Sequence, residues 1–415
     1  MINGLRRLEL DLKLLLITSI PAGLSGGMFY AVWGLYFRAE GVSSSYLGLY
    51  SFLEGILMTL IFIPAGVIAD RIGRKKPVLS GYLLSSLSLA VIVLWGLNLP
   101  SILLSGILGG CSSLALPAFQ AWLADLAESN MEEASSMRMF LYNVSFSAGS
   151  LMGWVPELLV ASSPQMSYSQ AYRLMISLSL LATLATIPIF LAIRDRHRPS
   201  HVNHIGLKRV LRPLRAPVIG KLTILMALSS LAMGFFYPLT SYYLGQKYGV
   251  ESGPVGTVLT LVYLISSFSY LIAPPLSRMM GIVRFIVISQ GVAAVLASLL
   301  PFTDNFIVAS TLLIFQAMGA YAPAPLIWAL FMEYTPVEDR GIVNSLYNLS
   351  LVGPRSVSSL AGGSLLDRNR EYPVYAFVLL YALYDLLFAL LIRSNEERKD
   401  YLEIEARQAE GYDGP

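Results

Sequence analysis

Residues 66–81 read GVIADRIGRKKPVLSG, and the stretch from Asp70 to Lys76 holds one carboxylate and four cations in seven consecutive positions. That density is out of keeping with the rest of the chain, where only 13% of 415 residues are charged, 55% are hydrophobic and the mean hydropathy is +0.63. A soluble domain of this size could not bury so much apolar surface, so the chain belongs in a bilayer. The charged cluster separates two long apolar runs, and the same alternation of apolar run and polar break continues in both directions.

About twelve runs reach the roughly 20 residues needed to cross the hydrocarbon core. They are expected at 14–37, 46–69, 77–97, 101–126, 137–160, 172–193, 218–246, 254–277, 283–301, 305–333, 342–366 and 373–393. Backbone polar groups in lipid must pair internally, and these runs lack the alternation of barrel strands, so each is expected to be a helix. The first run continues well past a short signal-peptide core and is expected to stay in the mature protein. The fold class expected is therefore an all-α integral membrane protein.

Orientation follows from the cations. With the N-terminus in the cytoplasm, about 23 Lys and Arg fall on the inner face and about 5 on the outer, counting those near span ends with the adjoining face, and Arg355 alone falls deep inside a span. Positive charge collects on cytoplasmic loops, so both termini and the loop from Asp70 to Lys76 are expected there, by default at the cell membrane. The longest hydrophilic connection, 194–217, is basic with interleaved Leu and Val and is expected to lie on the anionic inner leaflet as a linker. The tail 394–415 carries both signs of charge and reads as a solvated helix.

The halves on either side of that linker repeat. At an offset of 208 residues, Gly26 meets Gly234, Gly41 meets Gly249, Gly48 meets Gly256, Gly73 meets Gly281 and Pro117 meets Pro325. Tyr142-Asn143 meets Tyr347-Asn348 at 205. The organisation expected is a six-helix bundle over 1–193 and a second, pseudo-symmetric one over 218–393. Two such bundles rocking about a midplane site are what a secondary transporter requires.

In the opening stretch, Gly66 is expected to let the end of span two pack closely against a neighbour, and Gly73 to permit a tight reversal. Asp70 is placed to accept from a helix N-terminus, and Arg74 to bridge carboxylates from two helices. The motif from Gly66 through Asp70, Arg71, Gly73 and Arg74 to Lys76 resembles the signature loop between helices two and three of the major facilitator superfamily. The duplicated twelve-span layout resembles that family over nearly the whole chain. The resemblance implies that Asp70 and the basic residues hold the cytoplasmic side shut, with Asp125 at the end of helix four as a partner. The second copy, PPLSRMMGIVR at 274–284, keeps Gly281 but sets Arg278 opposite Asp70.

Ionisable groups deep in a span are costly and point to function. Three stand out: Glu54 in YSFLEGILMT, Arg355 in LVGPRSVSSL and Asp385 in YALYDLLFAL. Glu54 is fifteen residues from Ala69 and Arg355 thirteen from Ile342, which places both on the order of 20 Å from the cytoplasmic ends. The family resemblance sets helices two and eleven face to face, so Glu54 and Arg355 are expected to pair, with protonation of Glu54 or substrate breaking the pair. Asp385 is expected to have a local partner such as a tyrosine.

The cavity expected is polar and aromatic. Its candidate lining is Tyr30, Trp33 and Tyr36 from span one, Gln120, Asn143, Tyr237, Tyr242, Tyr243, Tyr263, Gln316, Tyr321 and Asn348. Rings with a few hydrogen-bonding groups suit an amphipathic organic molecule. The expected activity is efflux of such a molecule by alternating access, coupled to protons; uptake of a sugar or organic acid, and lipid transport, are the alternatives. Proton-coupled exporters of the family often carry an arginine in helix four and a Gly- and Pro-rich motif in helix five. Here ILLSGILGGCSSLALPAFQ has no arginine, and SAGSLMGWVPE offers only Gly149 and Gly153. Coupling would then fall to Glu54.

Other chemistries find little support. Gly23-Leu24-Ser25-Gly26-Gly27 matches a nucleophile-elbow pattern, but His197, His201 and His204 all lie in the basic linker, so the run reads as helix packing. Those histidines have basic surroundings unsuited to a metal. No phosphate-binding glycine loop is present, so ATP is not the expected energy source. Cys111 is alone and forms no intrachain disulfide. No enzyme activity, cofactor or nucleic-acid partner is expected, and the protein is expected to act as a monomer.

Overall fold

The computed structural model describes residues 10–127, 130–195, 212–335 and 339–410, and every regular element among them is helical. The histidines and most of the 194–217 linker lie outside the described residues. The first six spans are Leu10–Ala39, Ser44–Ile72, Lys75–Trp95, Leu99–Ala127, Met131–Leu151 continued by Trp154–Ser162, and Tyr168–Ala192. The second six are Pro217–Tyr248, Ser252–Met280, Ile282–Ser298, Phe306–Glu333, Arg340–Arg368 and Tyr372–Glu410. Eleven helices among the described residues are long and apolar enough to cross a membrane; span eleven, which carries Arg355, is the more polar twelfth. Span twelve continues as one helix to Glu410, so the described part of the tail is its extension.

Helix ends follow local chemistry. Asn98 with Ser101, and Ser167 with Gln170, form reciprocal capping boxes that satisfy free amides at the starts of spans four and six. Spans four and ten are each interrupted, between Ser112 and Ala115 and between Tyr321 and Ala324. Pro117 and Pro325 sit in the first turn after these breaks, where no intrahelical donor is needed.

The 208-residue repeat is present in the backbone. Gly41 and Gly249 have φ of 68° and 66°, and Gly73 and Gly281 have 93° and 90°, all in the region that favours glycine. Packing repeats as well. Span one lies on spans five and six as span seven lies on eleven and twelve, and span two lies on four as eight lies on ten. Between the bundles, span two packs on span eleven and span eight on span five, the same contact seen from each half. The fold is twelve helices in two pseudo-symmetric six-helix bundles.

Glycines set how closely these helices approach. A Cβ on Gly48 would collide with the Ser359 carbonyl, and one on Gly256 with that of Ser150, so spans two and eight touch the opposite bundle backbone to backbone. Gly23 and Gly27 do the same between spans one and five. Ser25, between them, shares hydrogen bonds of 2.7 Å with Ser179 and Thr183, which makes the nucleophile-like run a helix-packing element.

Candidate functional site

The charged loop folds largely as its residue types require. Gly73 makes the reversal, and a Cβ there would press on Asp195 Oδ2 at 2.6 Å. The amide of Lys75 donates to that same oxygen at 3.1 Å, so the start of span three is met by Asp195. Lys75 Nζ in turn donates to the carbonyls of Leu191 at 2.7 Å and Ile193 at 2.8 Å, at the end of span six. Arg74 is buried and bridges two helices: Nη1 bonds Asp70 of span two, and Nε donates to Asp125 Oδ2 of span four at 3.1 Å. Arg71 is exposed. Gly66 corrects the sequence reading, because a Cβ there meets nothing within 4 Å. Span two touches span eleven at Gly48, Gly55 and Thr59, and beyond these contacts Gly66 faces open space.

At the opposite end of the bundles the structure contains a pair of seals that no sequence motif announced. Ser44 Oγ donates to the Gly363 carbonyl at 2.9 Å, and Ser252 Oγ, 208 residues on, donates to the Gly153 carbonyl at 2.6 Å. Beside each serine, a carboxylate from the facing bundle caps the helix start. Asp367 Oδ1 accepts from the Ser44 amide at 2.9 Å, and Glu157 Oε1 accepts from the Gly253 amide at 2.7 Å. Asp367 also accepts from the hydroxyls of Ser43 and Ser44 at 2.6 Å each, from that of Ser45, and from the Ser45 amide at 3.0 Å. Burial pushes the Asp367 carboxyl up, and these donors outweigh it, so its pKa lies below the ordinary value. Arg38 adds a third tie, to Glu251 at 2.9 Å, and Tyr172 donates to the same carboxylate at 2.5 Å.

Three adjoining cavities lie between this seal and the charged loop. The central one, about 440 Å³, is bounded by Tyr30, Trp33 and Tyr50, by Glu54 of span two and by Arg355 of span eleven. Glu54 and Arg355 thus share one chamber, but no salt bridge within 4 Å joins them among the described residues, which corrects the expected direct pair. Arg355 instead stands 5.9 Å from the centre of the Tyr237 ring. Trp33 stacks on Phe29 at 4.6 Å, and its buried indole N–H has no hydrogen-bond partner.

Tyr30 and Arg355 continue into a smaller chamber of about 80 Å³ in the second bundle, which Tyr237, Tyr263, Gln316 and Tyr321 also line. There Tyr237 Oη donates to Gln316 Oε1 at 3.1 Å and accepts from Nε2 at 3.0 Å. Asn143 lines the third cavity, within the first bundle, and donates to Ser267 Oγ at 3.4 Å.

Several candidates fall elsewhere. Gln120 is exposed and lines none of these cavities, and Asn348 spends its amide on the Asn344 carbonyl at 2.8 Å. Tyr36, Tyr242 and Tyr243 are buried in packing, with Tyr243 donating to Glu371 at 3.0 Å. Asp385 lies over Gly291 of span nine, and its Oδ1 is buried without a hydrogen-bond partner, so the expected tyrosine partner for that oxygen is not there. Sequence reading missed Tyr50, Ser112, Ser113 and Ser356, which line the central cavity. It also missed Arg138, Tyr82 and Tyr142 in the first bundle, although a cation two turns into span five is a legible signal.

Comparison with known proteins accords with this architecture. The family model described as Major Facilitator Superfamily matches residues 15–359 and, again, 222–408. Multidrug resistance protein 2 of Bacillus subtilis (strain 168) is 24% identical over 386 residues, covering 89% of this chain and 92% of that one. Quinolone resistance protein NorA of Staphylococcus aureus (strain COL) is 22% identical over 359 residues, covering 84% and 88%. Among solved structures, the nucleoside transporter NupG superposes with a TM-score of 0.72 at 13% identity, over 93% of this chain and 99% of that one. The POT family transporter PepTSo gives 0.73 at 13% identity, over 93% and 98%. These two share the fold with this chain. The repeat in sequence and backbone, the paired bundles and the match along both halves place the chain in the Major Facilitator Superfamily, as a multi-pass membrane transporter of small molecules.

Proposed function

We propose that the protein exports amphipathic organic molecules by alternating access and that protons drive it through Glu54. The reading is carried by the central cavity, where an aromatic wall and an unbonded Glu54–Arg355 pair face the same space at the junction of the bundles. A carboxylate free of a permanent ion pair can gain and lose a proton, and a nearby substrate or Arg355 senses the difference. Rings around it accept apolar bodies of varied shape. The names of the relatives, multidrug and quinolone resistance proteins, agree with export.

In this account residues 1–193 and 218–393 are the moving bundles, 194–217 is the basic linker and 394–415 the tail. Positive charge puts the loop from Asp70 to Lys76 in the cytoplasm, and the far-end seals then close the outer side. Hydrogen bonds between the bundles cluster toward that seal, and span two faces open space at Gly66 near its other end, which supports an inward-facing conformation. Arg74, Asp70 and Asp125, already joined within the first bundle, form a preassembled inner latch that meets the second bundle when the cycle reverses.

Thermal melting of the purified protein tests the substrate class. A ligand that binds only the folded state raises the melting temperature by mass action. Quinolones and lipophilic cations are expected to stabilise, more at pH 7.5 than at 5.5, where a protonated Glu54 competes. Stabilisation by sugars or small organic acids alone would overturn export in favour of uptake.

A further inference from the structure

Arg138 lies about two turns inside span five and lines a cavity of about 510 Å³ between spans one, three, four and five. Its guanidinium carbon stands 5.5 Å from the Phe119 ring centre, and no carboxylate forms a salt bridge with it among the described residues. The contrast with Arg74, which holds two carboxylates, is sharp. A membrane-embedded guanidinium without a counter-charge is costly, and its planar fork is suited to carboxylate and phosphate. Around it stand hydroxyl and amide groups from Tyr82, Ser85, Tyr142 and Asn143, able to donate to the same anion, while Phe119 offers an apolar wall. Ser112, Ser113 and Leu116 line both this cavity and the central one, so a bound molecule has a continuous path between the two.

We propose that Arg138 anchors an anion-binding subsite that takes the carboxylate or phosphate of an amphipathic organic anion, with the apolar body directed toward the central cavity. The proposal rests on the export reading and narrows it: the substrate range includes anions, held in the first bundle before they reach Arg355. A free compound and a lipid headgroup present the same chemistry.

The test is calorimetric titration of the full chain in phosphatidylcholine nanodiscs with 4-phenylbutyrate and 1-naphthyl phosphate, and with tetraphenylphosphonium as the cationic comparison. Arg138→Gln is expected to weaken both anions by about 10- to 100-fold, the range for charge-assisted hydrogen bonds, and to leave the cation unchanged. Arg138→Lys is expected to restore part of the loss, since it keeps the charge without the fork. Competition by added phosphatidylglycerol would identify a lipid headgroup as an occupant, and its absence a free compound; both support the subsite. Equal anion affinity in wild type and Arg138→Gln overturns it. Binding of tetraphenylphosphonium with no binding of either anion overturns it while export stands; binding of neither class counts against both. Arg138→Gln removes an unpaired charge, so its melting temperature should hold or rise, and a large fall would show a structural partner and overturn the proposal.

Discussion

Replacing Asp367 by Asn should open the far-end seal. The carboxylate accepts from five groups: the hydroxyls of Ser43, Ser44 and Ser45 and the amides of Ser44 and Ser45. The amide side chain keeps one acceptor oxygen and loses the charge that interacts with the start of span two. Charge-assisted bonds contribute about 1.5–3 kcal/mol each when buried, but several of these donors are exposed, so the net loss is about 1–2 kcal/mol. That corresponds to about a 5- to 30-fold shift from closed to open. Spin labels at Ser163→Cys and Asp304→Cys, exposed positions at the far end of the two bundles, would report it by pulsed dipolar distance measurement in a Cys111→Ser background. The wild-type distribution should be short and narrow, and Asp367→Asn should add a longer component. Because the folded pKa of Asp367 is depressed, its contribution is present in full above the ordinary carboxylate pKa, about 3.9, and is lost as pH falls through the lower folded value. With Glu54→Gln as background, so that the coupling carboxyl does not itself titrate, the short distance should therefore persist from pH 8 to pH 5. An unchanged distribution in Asp367→Asn would refute the sealing role, and opening of the Glu54→Gln protein near pH 6 would refute the argument from this carboxylate.

Gly48→Val and Gly256→Val should have matching effects, since each new side chain meets a carbonyl of the facing bundle; the same labels should show both held open, with export lost. Arg74→Ala should destabilise the protein by about 1–2 kcal/mol in denaturant unfolding, and Arg74→Lys should not recover it, because Nε and Nη1 of one planar group serve two carboxylates. Asp385→Asn should keep transport and melt at or above the wild-type temperature, because its buried Oδ1 has no partner to lose.

What could be read from sequence was what hydropathy and backbone sterics impose. Spans showed as apolar runs, and Gly41/Gly249 and Gly73/Gly281 showed as repeats because few other residues adopt their positive φ. Glu54 and Arg355 were visible as charges in apolar surroundings. Their separation was not, because it depends on how the bundles tilt, and the open space at Gly66 depends on the same tilt. Gln120 and Asn348 were misplaced because a polar side chain in a span can turn to a cavity, outward, or back to its own helix as Asn348 does, and spacing alone does not say which. Ser44 and Ser252 were two serines among many until the facing helices brought Asp367 and Glu157 to them. Arg138 was passed over as a charge near a span end, whereas span five begins at Met131 and takes it inside.

The central claim is that Glu54 couples protons to export, and proton movement driven by substrate is its most direct test. Purified protein in liposomes loaded with a pH-sensitive dye would be given a quinolone or tetraphenylphosphonium with no imposed gradient. Wild type should move protons against the direction of substrate, while Glu54→Gln should bind the same compounds and move none. Proton movement by Glu54→Gln at the wild-type rate, or substrate movement by the wild type without any proton signal, would contradict the account.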